Sequence, residues 1–78
     1  MDGWVPLDTL PSQGRAFVRS LNGGHAFVSR LAALGFTPGA PVAIVQNRGH
    51  GPLIVVVRDC RIALGRGEAH KVLVQREG

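Results

Sequence analysis

The sequence predicts a mainly β fold, a very small closed sheet of about five short strands. One α-helix is inserted after the first strand, and a short helical turn precedes the last. Three observations carry this expectation. The apolar residues fall in short runs, the longest being Leu53 to Val57. Glycine and proline, 11 and 5 of the 78 residues, punctuate the chain between those runs. Only residues 25–34 repeat apolar positions at helical spacing.

The elements follow in order. Residues 1–12 carry Pro6 and Pro11 and little periodicity, so they read as an irregular leading segment anchored by Leu7 and Leu10, with Trp4 set to cover one end of the barrel or to lie exposed. After Gly14, residues 15–21 alternate: Ala16 and Val18 form an apolar face, and Arg15, Phe17 and Arg19 the other. Asn22-Gly23-Gly24 ends that strand. In the helix, Phe27, Leu31 and Leu34 make the stripe, widened by Val28 and Ala32. Gly35 suits the left-handed residue that ends a helix, with Phe36 folding back on the last turn. Thr37-Pro38-Gly39 reads as a turn.

Residues 41–46 form the second strand and 47–51 a polar loop. The third strand spans 53–58, with Asp59-Cys60 as its connection to a short strand at 61–64. Gly65 to His70 is a compact turn in which Glu68 caps the backbone, and 71–75 closes the sheet. Closure matters because it removes the unpaired edges that a run such as Leu53 to Val57 would expose.

Length bounds the chain to one domain, 1–78, with a modest core. Nine Lys and Arg against five Asp and Glu give +4, a surface suited to anionic partners. The single cysteine, Cys60, excludes a disulfide framework and points to a reducing compartment. No signal segment or membrane-length apolar run is present, so a soluble, cytoplasmic protein with no membrane insertion is expected.

The chemistry-bearing residues do not gather. His25, His50, His70, Cys60, Asp59 and Glu68 include no pair at metal-ligand spacing, so no metal site, cofactor site or catalytic residue is assigned. Asp59 beside Cys60 opposes thiolate formation. Gly65-Arg66-Gly67-Glu68 lacks the spacing and the Lys-Ser/Thr pair of a phosphate loop. Nucleic-acid binding is the alternative for a small basic barrel, but only Phe17 sits among arginines as a stacking platform would require. The face of Arg15, Phe17 and Arg19 is better suited to protein contact, because Arg and aromatic residues anchor interfaces, the alternative being that Phe17 packs under the leading segment against Trp4 or Leu10. The helix and its exit at 35–39 offer a second surface.

The order of these pieces resembles a known family. Arg30-Leu31-Ala32-Ala33-Leu34-Gly35-Phe36-Thr37-Pro38-Gly39 looks like its helix-end signature, and Val42 to Val45 its next strand. Gly51-Pro52-Leu53 looks like its third-strand start, and Ile62-Ala63-Leu64, Glu68-Ala69 and Val72-Leu73-Val74 its C-terminal pattern. The family is that of ferrous iron transport protein A, the FeoA-like proteins, and the match runs from about Leu7 to Val74. The resemblance implies an SH3-like small barrel and a non-enzymatic, cytoplasmic accessory role in bacterial ferrous iron uptake. The implied partner is a FeoB-like membrane transporter with a cytosolic GTPase part; self-association stays open. A metal-sensing module akin to the C-terminal domain of metal-dependent repressors is the other reading the resemblance allows.

Overall fold

The computed structural model describes residues 3–77. Six strands form one antiparallel sheet: β1 (Trp4–Pro6), β2 (Arg15–Leu21), β3 (Pro41–Gln46), β4 (Leu53–Val57), β5 (Cys60–Leu64) and β6 (Val72–Arg76). Their spatial order is β1-β6-β2-β3-β4-β5. Helix α1 (His25–Ala33) follows β2, and α2 (Arg66–His70) precedes β6.

The alternation that predicts the strands places the core. Ala16, Val18, Val42, Ile44, Leu53, Val55, Val57, Val72 and Val74 are all buried, and their strand neighbours face outward. Leu7 and Leu10 are buried in the same core as anchors of the leading segment. Bulges at Arg19 and Val45 shift the register by one residue and increase the local twist.

Four features differ from the sequence reading. The leading segment is not wholly irregular: Trp4–Pro6 pairs with β6 as a sixth strand, followed by one 3-10 turn over Leu7–Thr9. The third strand stops at Val57, because Arg58 and Asp59 take positive φ of 50° and 64° and make the two-residue turn themselves. Cys60 is therefore the first residue of β5 and not part of a connection. The helix buries less than its stripe suggests. Leu31 is fully buried, Phe27 and Val28 are half-buried, and Ala32 and Leu34 are exposed.

The reason lies at the helix end. Gly35, at φ 109°, turns the chain so that the Phe36 N–H donates to the Leu31 carbonyl at 3.0 Å and the Gly35 N–H to that of Ala32 at 3.0 Å. That motif drives Phe36 into the core beside Leu31. Phe36 takes the place in the core that the spacing assigned to Leu34. The turn after it is as expected: Gly39 has φ 89°, and the Ala40 N–H donates to the Thr37 carbonyl at 2.9 Å.

Closure is by packing, not by a complete ring of strand pairs. β4 is shielded on both sides, as the Leu53 to Val57 run requires, but no ladder joins β1 to β5 among the described residues.

Candidate partner-binding face

β2 lies between β6 and β3, so its outward side chains stand in the middle of a broad sheet face. Phe17 pairs with Gln75 on one side and Pro41 on the other, and Gln75 pairs in turn with Trp4. Trp4, Gln75, Phe17 and Pro41 thus form one row across four strands. Strands lie about 4.8 Å apart, which separates the Trp4 and Phe17 backbones by roughly 10 Å with Gln75 between them. Both aromatics are half-buried. Arg19 donates from Nε to Gln75 Oε1 at 2.8 Å, which fixes its guanidinium beside the row.

The structure therefore brings Phe17 and Arg19 together on one face and sets Trp4 in the same row, beyond Gln75, where the sequence reading ties it to Phe17 only as cover. Arg15 is exposed one pleat along, opposite Ala43. It lines a groove of about 600 Å³ with Pro38, Pro41, Val56, Arg58 and Glu77.

Four other polar residues, Asn47, Arg66, Arg58 and Glu68, join elements of the fold to one another. The Asn47 side chain donates to the carbonyls of Leu10 and Asp8 at 2.6 and 3.1 Å, and its Oδ1 accepts from Arg66 Nη2 at 2.6 Å and the Gly49 N–H at 2.9 Å. That satisfies its full capacity and ties the leading segment, the β3–β4 loop and α2 together. Arg58 reaches from its hairpin turn to the helix exit, donating to Thr37 Oγ1 at 2.9 Å and the Gly35 carbonyl at 3.4 Å. A Cβ at Gly35 would stand 3.0 Å from the Arg58 stem, so glycine serves the close approach as well as the positive φ.

Glu68 accepts the Gly65 N–H at 3.1 Å, the cap expected from the sequence, and also pairs with Arg30 of α1. The Gly65 hydrogen bond and the Arg30 charge hold its carboxyl below the usual carboxylate range. Its folded pKa is depressed, so its contribution to stability is present at neutral pH and is lost as pH falls from about 4.5 through the folded value. Glu68→Gln is expected to lower the thermal midpoint by a few degrees at pH 7, the difference from wild type closing in acid; thermal melts from pH 7 to pH 3 check this.

The metal-ligand candidates stay apart. Among the described residues no three His, Cys, Asp or Glu side chains converge. His70 Nδ1 lies 3.2 Å from Asp8 Oδ1, and Cys60 is exposed at the sheet edge. No helix among the described residues is long and apolar enough to cross a membrane.

Comparison with known proteins places these features in a family. The FeoA domain model matches residues 5–76. A candidate Fe(2+) transport protein A of Methanocaldococcus jannaschii is 29% identical over 70 residues, 90% of this chain and 84% of that protein. The crystal structure of an iron uptake regulatory protein, FeoA, superposes with a TM-score of 0.88 at 32% identity, covering 95% of this chain and 99% of that one. A zinc-complexed FeoA of Stenotrophomonas maltophilia, described as an SH3 domain protein, gives 0.78 at 36% identity over 88% of this chain and 87% of its own. The fold here is the same SH3-like arrangement.

Proposed function

The chain belongs to the FeoA domain family, and we propose that it is a non-enzymatic, cytoplasmic accessory protein of ferrous iron uptake that docks on the cytosolic part of a FeoB-like membrane transporter. The relatives named for Fe(2+) transport support the system. The observation that carries a docking role is the row of Trp4, Gln75, Phe17 and Pro41 with Arg19 fixed beside it and Arg15 at its rim. Half-buried aromatics flanked by arginines are the residue types that supply most interface energy. A binding role is further supported by what four of the remaining polar residues do. Asn47, Arg66, Glu68 and Arg58 are engaged in joining elements to one another.

The reading is tested by binding to the transporter's purified cytosolic domain in nucleotide-free, GDP and GTP-analogue states. Phe17→Ala, and separately Arg15→Glu with Arg19→Glu, are expected to weaken binding at least tenfold, about 1.4 kcal/mol. Full binding by both variants removes this face. Loss in Leu34→Ala instead moves the contact to the helix end, where Leu34 is 37% exposed. No wild-type binding in any state removes the partner.

A further inference from the structure

β5 ends the sheet on one side, as β1 does on the other, and it is the outer neighbour of β4. The left-handed φ values of Arg58 and Asp59 are those of a two-residue type I′ hairpin. In such a hairpin the flanking pair, Val57 and Cys60, exchanges both hydrogen bonds. The regular register then makes Val55–Ile62 and Leu53–Leu64 the other bonded pairs. Arg61 and Ala63, opposite Val56 and Ile54, consequently turn their N–H and C=O groups away from β4. No strand, turn or loop backbone among the described residues pairs with them.

Proteins usually blunt such an edge with charged side chains, proline, a bulge or a covering element, and of these β5 carries the single charge of Arg61. Residues 60–64 contain no proline, and the β4–β5 ladder has no bulge. Cys60, Arg61 and Ala63 are exposed. Arg61 has no ion-pair partner among the described residues.

We propose that β5 accepts an extended acidic segment of another protein as an additional strand. Strand addition draws its affinity from main-chain hydrogen bonds and its selectivity from alternate side chains. Here Arg61 selects an acidic residue on the outer face, and half-buried Ile62 selects an apolar residue on the other. Charge argues for this occupant over a second copy, because each chain carries +4. Area argues against a stable dimer through this edge alone: two five-residue edges bury far less than the roughly 1,200 Å² of a stable protein pair. This contact uses none of the residues of the Trp4–Phe17 face, so either can fail alone.

The test is an NMR titration of the ¹⁵N-labelled full chain with an end-blocked hexapeptide alternating Glu and Val, and with a control alternating Lys and Val. The Glu peptide is expected to slow amide exchange at least tenfold at Arg61 and Ala63, while Ile62 and Leu64, already bonded to β4, change little. The Lys peptide binds at least tenfold more weakly. Ala63→Pro removes an N–H that β4 does not use and abolishes the protection; Phe17→Ala leaves it intact. Arg61→Glu, a surface change that keeps the fold, reverses the peptide preference. No protection at millimolar Glu peptide, or equal binding of both peptides, overturns the proposal. So does protection of the same amides that rises with protein concentration alone, which assigns the edge to a second copy.

Discussion

Phe36→Ala is expected to remove about half of the stability of this chain. Truncating a fully buried phenylalanine costs about 3–5 kcal/mol, through lost transfer energy and the cavity left behind. A chain of 78 residues has on the order of 4–10 kcal/mol in total. Phe36 also sets the helix end, since its N–H donates to the Leu31 carbonyl and its ring packs with Leu31 in the core. Urea unfolding followed by circular dichroism measures the loss as a shift in midpoint at constant slope. Leu34→Ala is the informative control. Helical spacing puts Leu34 and Leu31 on one stripe, but Leu34 is exposed, so its truncation should change stability by no more than about 0.5 kcal/mol. Equal losses in the two variants would mean that α1 packs as its periodicity suggests and not as described.

Asn47→Ala carries the second large effect, about 2–3 kcal/mol. The substitution removes the bonds of Asn47 to the carbonyls of Asp8 and Leu10 and to the Arg66 guanidinium, leaving the Asp8 carbonyl and Arg66 only a 3.5 Å contact with each other, and each lost bond is worth about 1 kcal/mol net. Arg66→Ala should cost less, since it removes only the bond to Asn47 and a 3.5 Å contact to the Asp8 carbonyl. The two effects should add to less than their sum, because both break the same bond. Hydrogen exchange at Leu10 checks the location: in Asn47→Ala its amide, bonded at 3.2 Å to the Leu7 carbonyl, exchanges faster as the leading segment loosens.

These two residues also mark where the sequence was legible and where it was not. Gly35 and Phe36 could be read because a helix-end motif is local: a left-handed glycine and an apolar residue after it are enough. The strands could be read wherever one face is buried, as in β2, where Ala16 and Val18 alternate with Arg15, Phe17 and Arg19. Asn47 could not be read as more than a loop residue, because three of its four side-chain partners lie 19 to 39 positions away and the fourth, Gly49, is what any loop Asn can bond. β1 has three residues, one of them proline, and owes its strand conformation to pairing with β6 rather than to its own preference. The sequence puts the hairpin turn one residue late, because Arg-Asp carries no Gly or Asn to announce positive φ. Arg58 holds that conformation through its bonds to Thr37 and Gly35, again a distant pairing.

The candidate face divides in the same way. Arg15, Phe17 and Arg19 were visible as the outer side of one alternating strand. Trp4 enters the sequence reading beside Phe17 only as cover, and its place in the row comes through the β1–β6–β2 register. A tryptophan and a phenylalanine on either side of Gln75, with Arg19 fixed to that glutamine, make a broader anchor than the sequence alone supplied.

The central claim is that this face meets the cytosolic part of a FeoB-like transporter. The most direct measurement is amide and tryptophan-indole chemical-shift mapping of the ¹⁵N-labelled chain on addition of that domain. The account predicts shifts and broadening concentrated at Trp4, Arg15, Phe17, Arg19 and Gln75, absent when Phe17→Ala is titrated in its place. Shifts confined to other surfaces, such as α1 and Leu34, or an unperturbed spectrum at saturating domain, would contradict it.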